Sequence, residues 1–150
     1  MNSLAVSLNA NNYGELIDYH NGLRDINEKI INTPLDSKLT FSDDPLRIFR
    51  AVRFASQLKF KIHENLIDSM SILRDRIKIL NSERIVDELH KILMSNKPSL
   101  AFITLDKVGI LELIIPELTN LKGIDEVEGQ KHKDNFYHTL EVLDLSLIHI

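Results

Sequence analysis

A mostly α-helical protein, with a small β-containing piece at its start, is the fold this sequence predicts. Three observations carry the prediction. From Ser42 onward, apolar residues recur at spacings of three and four in one segment after another, the period of helices with one buried face. Before Ser42 the apolar runs are short and bounded by Asn, Gly and Pro, the pattern of strands and turns. Nowhere does a βαβ rhythm recur, which excludes a doubly wound sheet.

The totals agree. At 150 residues the chain is long enough for one medium domain or parts of two. A hydrophobic fraction of 43% and a charged fraction of 27% are ordinary for a soluble globular protein. The net charge of −4 argues against broad non-specific nucleic-acid binding but leaves room for a local basic patch. With no cysteine, disulfide frameworks and thiolate metal sites are excluded. No apolar run approaches the ~20 residues of a membrane span, and the start lacks the layout of a secretory signal. The expected setting is cytoplasmic and away from membranes.

Residues 4–8 and 15–19 flank Asn9-Ala10-Asn11-Asn12-Tyr13-Gly14 and read as a hairpin. A lone hairpin is marginal in water, so these strands read as the last of a larger sheet. Residues 22–29 read as a turn and short helix, 30–33 as a strand ended by Pro34, and 36–40 as polar linker. A helix should start at Ser42, capped by Ser42 or an adjacent Asp, with Pro45 in its first turn, and run to about Leu58. A second should cover residues 64–79, burying Leu66, Ile67, Met70 and Leu73. Ser82 should cap a third, running to about Met94 with Ile85, Leu89, Ile92 and Leu93 inward. Pro98 opens a fourth and Gly109 stops it. Residues 111–115 form a short apolar segment closed by Pro116, 119–133 a polar connection, and 136–150 a last helix.

Chemistry concentrates between Phe41 and Phe54. On a helix at 100° per residue, Arg47, Arg50 and Arg53 form one stripe with Asp44 one turn ahead. Ile48, Phe49, Val52 and Ala55 form the opposite, apolar face. Taken alone, such a stripe is most cheaply a solvated face with local ion pairs. Its chemistry also suits a nucleotide. Arginine forks grip phosphate bidentately, while a carboxylate accepts from an exocyclic amine and arginine donates to ring nitrogen or carbonyl.

Asp43-Asp44-Pro45-Leu46-Arg47 followed by Arg50-Ala51-Val52-Arg53-Phe54 resembles the neck motif of the class II CCA-adding tRNA nucleotidyltransferase and poly(A) polymerase family. The resemblance implies that Asp44 and Arg47 read the base of incoming CTP or ATP, and that Arg50 and Arg53 contact the nucleotide or its phosphates. Three further stretches resemble family motifs in the same order. Asn2-Ser3-Leu4-Ala5 resembles the end of a head motif. Gly14 to Asp18, Gly22 and Asp25-Ile26 resemble a loop tied to switching between C and A addition, which singles out Asp18, Gly22 and Asp25. Glu83-Arg84-Ile85-Val86-Asp87-Glu88-Leu89 resembles a motif that braces the neck, with Glu83, Arg84 and Glu88 in support. Without the resemblance, Asp18 to Asp25 is a turn with an Asp cap, and Glu83 to Glu88 a surface charge cluster.

No histidine pair has the spacing of a helix-borne metal site. Residues 129–140 resemble the opening of an HD-type phosphohydrolase domain, in which His138 would be the first metal ligand. The His-Asp pair and final Asp that complete such a site are missing, so no metal site is expected here, and residues 145–150 fit the family poorly. The family transfers nucleotidyl groups with Mg2+ held by two carboxylates in its head. No Asp-x-Asp strand or Gly-rich turn is present near the start, and Met1 falls inside the family's motif. The expectation is therefore a piece of the enzyme that selects CTP or ATP for tRNA but neither holds Mg2+ nor transfers alone. Its parts would be a head remnant at 1–40, a helical neck and body at 41–120, and a linker with the start of an HD-type domain at 121–150. Poly(A) synthesis, a helical RNA-binding module without catalysis, and a phosphohydrolase built around His138 are the alternatives.

Overall fold

The computed structural model describes residues 3–123, 126–127, 130–131 and 134–148, without the side chains of 126–127, 130–131 and 147–148. Asn2, His132 and His149 lie outside the described residues.

The chain opens with the antiparallel hairpin expected, β1 (Leu4–Val6) and β2 (Leu16–Asp18), in which Leu4 faces Asp18 and Val6 faces Leu16. Polar turn side chains close it: Ser7 Oγ donates to Asn12 Oδ1 at 2.6 Å, and Asn12 Nδ2 to Glu15 Oε2 at 2.8 Å. A short helix, α1 (Gly22–Asn27), packs on it. A Cβ at Gly22 would lie 2.6 Å from Ser3 Oγ, which would have to turn aside, and 3.3 Å from Leu4.

β3 (Ile30–Ile31) pairs in parallel with β4 (Lys61–Ile62), Ile30 facing Lys61. The strand was expected; its partner was not. These two short strands join the N-terminal unit to the helices.

Residues 36–40 are not linker. Asp36 Oδ1 accepts from Leu39 N at 3.0 Å and caps α2 (Ser37–Asp43). Ser42 therefore lies near the end of one helix rather than capping the next. Proline disfavours helical torsions at the residue before it, and Asp44, preceding Pro45, is extended at φ −140°, ψ 99°. Asp44 then caps α3 (Leu46–Leu58): its Oδ1 accepts from Leu46 N and its carbonyl from Arg47 N, both at 3.1 Å. The adjacent acid, not Ser42, supplies this cap.

Further boundaries differ from expectation. The 64–79 segment divides into α4 (Glu64–Ile72) and a tighter 3-10 turn, Arg74–Ile79. α5 (Ser82–Leu93) is capped by Asn81, whose Oδ1 accepts from Glu83 N at 3.0 Å, so Ser82 is its first residue instead. α6 (Pro98–Lys107) begins at its proline and stops before Gly109, whose φ is +71°. Pro116 does not merely close a segment. It separates α7 (Leu111–Ile114) from α8 (Pro116–Thr119) and opens the latter. Within the expected polar connection β5 (Glu126–Val127) pairs with β6 (Gln130–Lys131), and α9 (Asn135–Ile148) follows.

α3 lies at the centre, against α5 and α6; α2 packs on α4, and α9 on α6. Ile48, Phe49 and Val52 of α3 are buried with Leu66 and Met70 of α4, Ile92 of α5 and Leu105 of α6. Fully burying each such side chain contributes about 1.5–3 kcal/mol. Buried serines join helices where apolar side chains would be usual: Ser37 and Ser69 hydroxyls are 2.6 Å apart, and Ser56 and Ser95 hydroxyls 3.0 Å. The N-terminus of α6 is served from another helix: Asp144 of α9 accepts from Ser99 N at 3.0 Å and Ser99 Oγ at 2.6 Å. Among the described residues no helix is long and apolar enough to cross a membrane.

Candidate nucleotide site

Burying Ile48, Phe49 and Val52 fixes which way α3 turns its arginines. Arg47 and Arg50 face a cavity of about 360 Å³ lined also by Thr40, Phe41 and residues 31–35. Arg47 Nη1 is 3.3 Å from Asp43 Oδ2 and 3.4 Å from the Thr40 carbonyl, so a local acid and the end of α2 orient it. Arg50 is exposed and makes no ion pair among the described residues.

The expected single stripe divides. Asp44 is not on the helix with the arginines but at the α2–α3 corner, outside the lining of that cavity. Its Oδ2 is 3.7 Å from Arg84 Nη2 of α5. Arg53 turns inward. Its Nε donates to Glu88 Oε2 at 2.8 Å, its Nη1 to Gln57 Oε1 at 3.3 Å, and its guanidinium lies 4.1 Å over the Phe54 ring. The Arg53 and Glu88 side chains are only 14% and 7% exposed, so this guanidinium is not a free fork. Glu88 also accepts from Lys91 Nζ at 2.9 Å. Burial pushes the Glu88 carboxyl up, but the Lys91 hydrogen bond and the Arg53 charge outweigh it and hold it below the ordinary glutamate value.

Glu88 and Arg84 thus tie α5 to α3 and to the corner. Glu83 is exposed and makes no ion pair among the described residues.

Asp18 is a cap. Its carboxylate accepts from Gly22 N at 2.8 Å and Leu23 N at 3.0 Å. The Leu23 and Gly22 amides hold its pKa below the ordinary value. Asp25, with Gly22 and His20, lines a second cavity of about 200 Å³. The two cavities share residues 31–34, so Asp25 and the α3 arginines line cavities with a common wall. Nothing in the sequence marks that segment or Thr40 as site residues, since Pro34 there signals only the end of a strand.

His138 is exposed on α9. Among the described residues no group of three or more His, Cys, Asp or Glu is placed to hold a metal ion. Among the described residues no donor set fits Mg2+.

Residues 59–122 match the family model described as the probable RNA and SrmB-binding site of polymerase A. The chain is 38% identical over 135 residues to an A-adding tRNA nucleotidyltransferase of Geobacter sulfurreducens, covering 85% of this chain and 15% of that protein. It is 41% identical over 102 residues to a CCA-adding enzyme of Staphylococcus epidermidis, covering 68% and 24%. It is 34% identical over 150 residues to a multifunctional CCA protein of Verminephrobacter eiseniae, covering 97% and 36%. The chain therefore spans about a third or less of these relatives' length. Among solved structures, an apo CCA-adding enzyme aligns with TM-score 0.69 at 29% identity, over 76% of this chain and 27% of that one. A tRNA nucleotidyltransferase complexed with a primer tRNA and an ATP analog aligns with TM-score 0.62 at 29% identity, over 79% and 36%.

Proposed function

The chain belongs to the CCA-adding tRNA nucleotidyltransferase family, and from that premise we propose that its α2–α3 corner selects the CTP or ATP that such an enzyme adds to tRNA 3′ ends. The observation that carries this is the pair of exposed guanidinium groups, Arg47 and Arg50, on one cavity beside an acid fixed at the corner. Asp44 Oδ2 accepts from the exocyclic amine of cytosine or adenine, and Arg47 donates to the adjacent ring nitrogen or carbonyl. Arg50 grips phosphate. Arg53 contributes less by contact than by position, because its fork is committed to Glu88. Gly22 and Asp25 line the second cavity, and Asp18 holds the Gly22 amide beside it; there the difference between C and A addition would be set.

In this reading residues 1–40 belong to a nucleotidyltransferase head, 41–120 to the neck and body that meet nucleotide and tRNA, and 121–150 to a linker and the start of an HD-type domain. In the complete enzyme Mg2+ supplies the charge stabilisation of nucleotidyl transfer. No step through it is assigned to these residues, and the chain alone is expected not to incorporate labelled CTP into tRNA. The setting is cytoplasmic. The A-adding relative and the polymerase A family description favour a second reading, in which the same corner serves only ATP.

Equilibrium binding of CTP and ATP to the chain separates these readings. Asp44→Asn keeps an oxygen for the Leu46 cap while removing the acceptor charge. It should lower the ratio of CTP or ATP binding to UTP binding, whose base presents a carbonyl where theirs present an amine, by about tenfold, within the range of one base-edge contact, whereas Arg50→Ala should weaken all three nucleotides equally. An unchanged ratio in Asp44→Asn refutes the selecting role. Tight ATP with no CTP binding in the unsubstituted chain favours the second reading.

A further inference from the structure

We propose that Lys29, Lys59 and Lys61 form a second contact for RNA phosphates, at the opposite end of α3 from the nucleotide-selecting corner. By helix rise Lys59 lies about 18 Å from Arg47 along the axis.

Two of these lysines occupy backbone positions that disfavour them. Lys29 and Lys59 have φ of 55° and 56°, in the left-handed region. Glycine adopts that region freely and most side chains do not. Among the described residues only Asn21 shares it without being glycine. Lys59 ends α3, with Phe60 N donating to the Ala55 carbonyl at 3.0 Å, and Lys29 precedes β3. The parallel strand pair then brings the two turns together: Lys61 N donates to the Lys29 carbonyl at 2.8 Å. Three lysines thus leave the backbone within one corner of the molecule.

All three side chains are exposed, and none makes an ion pair among the described residues. Glu28, beside Lys29 in sequence, is taken by Arg24 at 2.8 Å. Lys61 shares a groove with Glu64 and Asp68, which offset part of its charge. Lys29 and Lys59 are therefore the cleaner reporters. In a chain of net charge −4, unpaired lysines at two conformationally costly positions mark a local use for charge. Ammonium groups are point charges that follow a phosphate backbone without reading bases. RNA is the polyanion favoured because Lys59 and Lys61 lie within residues 59–122, which match a family described as a probable RNA and SrmB-binding site, and Lys29 is joined to Lys61 by the strand pair. The proposal rests on the tRNA reading above.

The test uses the 150-residue chain and a tRNA lacking its 3′ CCA, with affinity followed by fluorescence anisotropy from about 50 to 200 mM salt, the range over which phosphate contacts weaken. The double variant Lys29→Gly, Lys59→Gly should melt no lower than the parent. Its plot of log affinity against log salt should be shallower by roughly one per lysine removed. Lys29→Arg with Lys59→Arg should keep the parent slope, and CTP or ATP binding should be unchanged in both. An unchanged slope in the glycine variant, or an arginine variant that falls with it, overturns the patch and leaves nucleotide selection standing. A parent that binds nucleotide but no tRNA does the same. A parent whose tRNA slope responds as stated but which binds neither nucleotide upholds the patch and removes the nucleotide-selecting reading.

Discussion

Replacing Glu88 with alanine removes the anion that holds Arg53. In the folded state that guanidinium is 14% exposed, 2.8 Å from a carboxylate that is itself 7% exposed. Deleting one partner of a buried pair costs about 3–5 kcal/mol, because the other charge is left without compensation. Gln57 at 3.3 Å and the Phe54 ring remain to soften the loss, which places Glu88→Ala near the lower end. A loss of about 3 kcal/mol at a urea slope of about 2 kcal/mol/M lowers the unfolding midpoint by about 1.5 M, read from far-ultraviolet circular dichroism. The double variant Arg53→Met, Glu88→Leu should recover most of that loss, since replacing both charges with apolar groups leaves nothing stranded. The sign with pH follows from the lowered Glu88 carboxyl. Its contribution is fully present above the ordinary glutamate value and is lost as pH falls through the lowered one, so Glu88→Ala should be the less acid-sensitive chain. A midpoint unchanged from the parent, or a double variant as weak as the single, refutes the argument.

Asp18 carries a second pH dependence. Its pKa lies below the ordinary 3.8, so its capping of α1 is intact above that value and is lost as pH falls through the lowered one. Amide exchange at Gly22 and Leu23 should accelerate there beyond the intrinsic rate, and Asp18→Ala should abolish the transition; protection unchanged by that substitution removes the cap. Gly109→Ala should destabilise by about 1–2 kcal/mol, because its φ of +71° penalises a Cβ. The added methyl would also strike the Arg74 guanidinium, which pairs with Glu112 at 3.1 Å. Thermal melting unchanged by this substitution contradicts the account.

Much of the helical body is legible because its signals are apolar. Ile48, Phe49, Val52, Leu66 and Ile92 recur at helical spacing and are all buried. α2 escapes that reading for a physical reason. Its buried positions are Ser37 and Phe41, and the serine is accommodated by a hydroxyl 32 residues away, so no apolar stripe announces the helix. The parallel pairing of β3 with β4 is equally invisible, since two-residue strands have no periodicity and parallel partners are distant in the chain. At the site, residue identity indicates which arginines can matter but not which are free. On a helical wheel Arg53 is about 60° from Arg50, toward the apolar face, but still outside it. Only the approach of Glu88 from α5 takes one of them out of reach.

Asp44 has a mechanical consequence. Between Ser37 and Leu58 it alone departs from helical torsions, and Pro45 keeps it there. Any change in the angle between α2 and α3 must therefore be absorbed in its own φ and ψ. α3 has 13 residues and at 1.5 Å rise is an arm about 20 Å long, so a turn of about 20° at this pivot would sweep its far end by roughly 7 Å. The carboxylate sits at the fulcrum, where that sweep is smallest. Lys59 rides at the tip, where it is largest. A motion that leaves the acid at the corner nearly still would shift the opposite end of the same rod by more than one helical turn.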